Sequence, residues 1–224
     1  MPAVDWATVR KFSIGSIERP ATKQRKSPVF GRWAIRVPKG GGNSQVFAPC
    51  AYFAPGSHPP LDYSTRNRGR NIARLYEDSE GERLLCFVDE AVESNGERHH
   101  QVRDGQGEVI GTLRRVPPTK RLLRHTWRID QPGHPEIAGR HEWASTEDAK
   151  EFAALAAEKV VIGFLDSLAN IGGEGGDQPS KGRPLIWKAD DELVMTSEAS
   201  KNIRIRADWL DRRLAFAFAM LGDR

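Results

Sequence analysis

Five cations crowd one short stretch of this 224-residue chain: Arg114, Arg115, Lys120, Arg121 and Arg124, set around Pro117-Pro118-Thr119. Guanidinium forks offer directed donors and an ammonium offers a compact charge, so such a bend suits an anionic headgroup. The rival reading is a solvated charged loop. A second group, Arg66, Arg68, Arg70 and Arg74, lies in and after another loop. It could contact a nucleic-acid backbone, but it lacks the aromatic partners of a single-strand stacking platform. Other chemistries find less support. His99 and His100 adjoin Asp104, yet successive strand residues point to opposite faces, so the two imidazoles would diverge. A metal site would have to pair one of them with His125 or His141. His134 and Glu136 sit in a Pro/Gly-rich turn without the helical frame of a metalloprotease motif. Ser44, Ser57 and Ser167 have no nucleophile-elbow context. Gly40–Gly42 is not followed by the Lys-Ser/Thr of a phosphate loop, and the glycines of 172–176 follow no Rossmann strand. Asp190, Asp191 and Glu192 read as a hairpin turn rather than a calcium loop, which takes about 12 residues. No catalytic residue, metal or cofactor is expected from these patterns.

The elements that must hold these side chains read mostly as strands. Alternating or apolar runs at 30–37, 46–53, 72–76, 83–88, 109–116, 122–129, 184–188, 193–196 and 202–207 are separated by Gly, Pro, Asn and Asp turns. With one more near Ile137 and one before Asp104, about nine to eleven strands are predicted. Asp104-Gly105 followed by Gly107 marks a hairpin. Gly111, inside the following strand, predicts a bulge or a close approach of another element. Ser145 and Asp148 have capping-box spacing and open a predicted helix to about Asn170. Residues 171–184 are glycine-rich without periodicity, a predicted mobile loop.

The last stretch, Asp208 to Gly222, is different. Leu210, Leu214, Ala217, Phe218 and Leu221 share one helix side, Phe216 and Met220 cover a second, and Ala215 and Ala219 thin a third. No polar residue interrupts it after Leu214, so as a helix it requires burial all round. It is too short to span a bilayer, which takes about twenty residues. Asp208 is its predicted N-cap, with Asp211 in the first turn, and Gly222 its stop. A strand is the rival, since Leu214, Phe216 and Phe218 also alternate with alanines; a membrane-surface or partner-docking helix is another.

Charge divides the chain unevenly. Residues 1–40 hold nine Lys/Arg and two Asp/Glu, so the formal +4 of the whole splits into +7 there and −3 over residues 41–224. That argues against a nucleic-acid-binding face on the folded part. Residues 1–28 contain a short helix or strand from Trp6 to Ile14 and then Pro-, Lys- and Arg-rich sequence, and are expected to form a flexible basic arm ahead of a single domain at 29–224. Cys50 and Cys86 sit in apolar runs and read as small buried hydrophobes. No apolar leader opens the first fifteen residues, so the expected location is cytoplasmic.

Three patches carry a family resemblance: Val102–Val116 (VRDGQGEVIGTLRRV), His125–Ile129 (HTWRI) and the closing IRIRADWLDRRLAFAFAMLGDR. In this order they resemble the tubby-like superfamily, which groups the tubby C-terminal domain, the phospholipid scramblases and the LURP-one-related proteins. The resemblance implies a mainly β fold: a closed antiparallel barrel of about twelve strands around a hydrophobic C-terminal helix, here with one additional long helix. It implies a non-enzymatic binding or scaffold module whose partner is an anionic phospholipid headgroup, at a membrane periphery, or another protein. The basic cluster at 114–124 is its expected ligand site. The cysteine cluster and following membrane helix of scramblases are missing, so scrambling is not carried over. An enzyme with a non-motif active site and a nucleic-acid-backbone binder are the alternatives.

Overall fold

The computed structural model describes residues 4–54, 73–118, 126–141, 184–198 and 202–222. Thirteen described strands form one antiparallel sheet. They are β1 (Lys11–Arg19), β2 (Val29–Lys39), β3 (Val46–Phe53), β4 (Ala73–Tyr76), β5 (Leu84–Val88), β6 (Val92–Ser94) and β7 (Glu97–Asp104), followed by β8 (Val109–Val116), β9 (Thr126–Asp130), β10 (Ile137–His141), β11 (Pro184–Ala189), β12 (Glu192–Glu198) and β13 (Asn202–Ile205). The order is β5-β4-β3-β2-β1-β13-β12-β11-β10-β9-β8-β7, and β5 pairs back onto β7, closing twelve strands into a barrel. The short β6 lies outside the closure, on the first half of β7. Closure removes the unpaired edges that an open sheet would offer to other chains.

Turn chemistry explains where the strands reverse. Asn95 and Gly96 both take positive φ (52° and 79°) between β6 and β7, the backbone that a two-residue hairpin needs. Asp190, at φ 50°, turns β11 into β12, so the acidic triplet is the predicted hairpin. The Asp104 carboxylate accepts from the amides of Gln106 and Glu108 between β7 and β8. Asp78 does the same for Gly81, Glu82 and Arg83 between β4 and β5. These amide bonds, Glu82's foremost, lower its carboxyl to about 2.

The sole helix among the described residues longer than one turn is α1 (Arg212–Leu221). Its cap is Asp211, which accepts from the Arg213 amide, and not the predicted Asp208. Asp208 instead pairs with Arg10. Gly222 ends the helix at φ 76° with its amide on the Phe218 carbonyl. Leu214, Ala215, Phe216, Ala217, Phe218 and Met220 have no exposed surface. Rings from separate parts of the wall meet the helix edge-on: Phe12 of β1 against Phe216 at 4.8 Å, and Trp127 of β9 and Trp187 of β11 against Phe218 at 5.4 and 4.6 Å. Gly111 combines both predicted features. The β7–β8 register shifts beside it, and a Cβ there would sit 2.7 Å from the Asp130 carbonyl and 2.8 Å from Leu214. No described helix is long and apolar enough to cross a membrane.

The N-terminal segment departs from expectation. Within residues 1–28 the helix or strand expected at Trp6–Ile14 is in part β1, which begins at Lys11 and runs on to Arg19 in the expected flexible arm. It pairs with β13 through Lys11–Ser13 and with β2 through Ser13–Arg19. Its apolar residues Phe12, Ile14 and Ile17 suit a wall strand, and two register shifts within the β1–β2 pair mask the alternation in sequence. Arg36 of β2 fastens this region. It is 1% exposed and donates to the carbonyls of Gly15 (2.9 Å), Phe47 (2.9 Å) and Arg32 (2.6 Å), with Glu18 at 3.5 Å. The predicted helix from Ser145 to about Asn170 and the glycine-rich loop lie outside the described residues.

Candidate functional site

Of the five predicted ligand residues, Lys120, Arg121 and Arg124 lie outside the described residues, while Arg114 and Arg115 are consecutive in β8. Strand geometry sends these two to opposite faces. Arg114 reaches Asp130 of β9 through two bonds (2.6 and 3.1 Å), Glu97 of β7 at 3.2 Å, and Glu136. Arg128 joins the same Glu136 at 2.7 Å. Hydrogen bonding to Asp130, above all, raises the guanidinium beyond its usual range. Arg114 thus serves as the hub of a charge ladder across β7, β8 and β9, with its donors engaged by carboxylates. Arg115 lies on the side of Leu113, its guanidinium 5.8 Å from the centroid of the Trp127 ring. The two do not form one anion clamp.

The histidines diverge as their spacing predicts. His99 approaches Glu97 at 3.4 Å and is partly exposed, whereas His100 is 6% exposed. Burial first, then the charges of Arg98, Arg115 and His99, push His100 down to about 4 from an ordinary 6.5. Folded, it stays neutral until about pH 4; unfolded, it takes a proton from about pH 6.5 downward. Its contribution to stability is therefore full above pH 6.5 and is lost as pH drops toward 4, up to about 3 kcal/mol. Urea midpoints measured across that window should show the fall, and His100→Gln should flatten it. The side chains of His125 and His141 lie outside the described residues, and no metal-capable group of three occurs among the described ones. Cys50 and Cys86 are free and buried, their thiols pushed up to about 12 by burial.

What the sequence reading misses is the β1–β2 hairpin and the charge layout of the barrel ends. Neighbouring strands are antiparallel all round, so connections alternate between two ends. Those after β2, β4, β7, β9 and β11 leave at one end; the last four carry Glu77, Asp78, Glu80 and Glu82, then Glu108, then Glu136, then Asp190 and Asp191, while the β2–β3 connection has no charged residue. The connection after β1 leaves at the other end, while Arg66, Arg68, Arg70, Lys120, Arg121 and Arg124 lie outside the described residues. Asp89 and Glu90 also follow β5 there, Asp89 being held by Arg103 at 2.6 Å. The β1–β2 hairpin at this end has five cations from Arg19 to Arg32 and no carboxylate among them. The signal available in sequence is the apolar match of Ile14 and Ile17 with Ile35 and Phe30 across a Pro/Lys turn. No protein-family model matches the chain, and neither a curated protein nor a solved structure matches it.

Proposed function

We propose that this chain is a non-enzymatic binding module that docks the barrel end bearing its β1–β2 hairpin on anionic phospholipid. The observation that carries the reading is the β1–β2 hairpin, which holds five cations from Arg19 to Arg32 and no carboxylate among them. The acidic turns of residues 77–82 and 190–191 at one barrel end and this hairpin at the other would orient the molecule over a negative surface. The first would be turned away and the second brought within a Debye length. The closed twelve-strand barrel and its apolar C-terminal helix support a tubby-like assignment for the fold, and a peripheral cytoplasmic location fits the same reading. Because Arg114 is engaged by carboxylates, Lys120, Arg121 and Arg124 become the part of the predicted cluster assigned to headgroups.

Flotation with vesicles tests this directly. The chain is expected to float with phosphatidylserine-containing vesicles, not with neutral ones, and to be released as salt rises. Replacing Lys120, Arg121 and Arg124 together by alanine should weaken binding by about 1 kcal/mol per charge brought near the surface. Failure to float with either composition would sink the lipid reading and leave a protein partner as the next candidate.

A further inference from the structure

The β1–β2 hairpin does not end where the barrel wall ends. β1 pairs with β13 only through Lys11–Ser13, and β2 pairs with β3 only from Ala34 onward. Beyond those points Ile17–Arg19 and Val29–Phe30 pair only with each other. A two-stranded ribbon therefore stands clear of the wall. Isolated ribbons are marginal in water, and this one is braced. Its turn is tied by the Thr22 amide to the Arg25 carbonyl (2.7 Å) and by the Arg25 amide to Thr22 Oγ1 (3.0 Å). The Arg25 guanidinium adds two bonds to the Pro20 carbonyl. Arg36 braces the base.

On this braced ribbon two apolar residues face water: Phe30 is 63% exposed and Val29 41%. Being consecutive in a strand, they project from both faces of the ribbon. Around them stand Arg19, Lys23, Lys26 and Arg32, all exposed and none in an ion pair among the described residues. Glu18, the nearest carboxylate in sequence, is turned to Arg36. A platform for stacking nucleobases needs aromatic rings along one face; an apolar tip on both faces, rimmed by cations, matches the boundary between lipid headgroups and acyl chains.

We infer that the β1–β2 ribbon is a membrane-docking finger, seating Phe30 and Val29 below the headgroups of an anionic leaflet while Arg19, Lys23, Lys26 and Arg32 meet lipid phosphates. This rests on the lipid-surface reading above and specifies its contact element and its depth. Salt should weaken the approach of the cations, while the contribution of Phe30 persists.

The test combines flotation with a label at the tip. Ser27→Cys can be tagged with an environment-sensitive fluorophore, since Cys50 and Cys86 are buried. On phosphatidylserine-containing vesicles the tag is expected to shift to the blue, and Phe30→Ser to weaken binding about tenfold with unchanged circular dichroism. If the unmodified chain floats but the tag is silent and Phe30→Ser binds normally, the finger is overturned and the lipid reading stands. If the unmodified chain does not float, both fall. A tag that responds to single-stranded RNA and not to vesicles would overturn the finger in favour of a nucleic-acid contact.

Discussion

Phe218→Ala is expected to lower stability by about 3–5 kcal/mol, a large part of what a single domain has. The ring lies edge-on between Trp127 and Trp187, which come from strands β9 and β11, and it has no exposed surface. Removing it takes away the burial of the ring and leaves a cavity between two indoles. Trp187 cannot swing freely to fill the gap, because its Nε1 donates to Ser197 Oγ at 3.0 Å and its ring lies where a Gly139 Cβ would come within 2.8 Å. Guanidinium denaturation of Phe218→Ala and Phe218→Leu would separate the two contributions, with the leucine variant recovering more than half of the loss. A loss below about 1 kcal/mol for the alanine variant would mean that the helix is not the filling of this barrel.

Arg36→Met is the second expected large loss, about 3–5 kcal/mol. Methionine replaces the stem but none of the donors, so the carbonyls of Gly15, Phe47 and Arg32 lose a shared partner and Glu18 loses its cation. Burial lowers the affinity of this guanidinium for its proton, and Glu18 opposes that. The position is thus costly to occupy and more costly to vacate. Unlike Phe218→Ala, the damage should be local first. Hydrogen exchange should quicken along β1 and the ribbon before the rest of the wall. Arg36→Lys should recover little of the loss, since one ammonium cannot span three carbonyls. Equal acceleration in every strand would overturn the local assignment.

Most wall strands are legible because their inward residues alternate and their turns carry Asp, Asn or Gly at the positions that demand them. The runs that become β3, β5, β8 and β11 match the observed strands almost to the residue for this reason. β6 is not legible, since all three of its residues are exposed and no burial pattern exists to read. β1 is legible only in part: Trp6–Ile14 reads as a helix or strand, while the cations that follow and the register shifts conceal its continuation through Ile17 to Arg19. Closure of the wall is visible only through resemblance: nothing local in Cys86, Phe87 or Val88 announces pairing with Val102–Asp104. The charged residues show the deeper limit. Arg114 stands out as a cation beside other cations, but its role is decided by Glu97, Asp130 and Glu136, which lie 17, 16 and 22 residues away and arrive from other parts of the wall. Composition counts charges; topology decides which of them are already answered.

The seam between β1 and β13 also governs how the molecule comes into being. Arg10 binds the carbonyl of Arg206 across 196 residues of chain, and the last strand leads straight into α1. During synthesis, every other strand leaves the ribosome before the wall has its final stave or its filling. The nascent sheet must wait with an apolar inner face and two open edges, and its completion depends on pairing the earliest strand with the latest. Contacts of that span are slow to form and leave partly folded chains prone to association. A ribosome-stalled chain ending before Asn202 should therefore engage chaperones, and one long enough to expose residues 202–222 outside the ribosome should not.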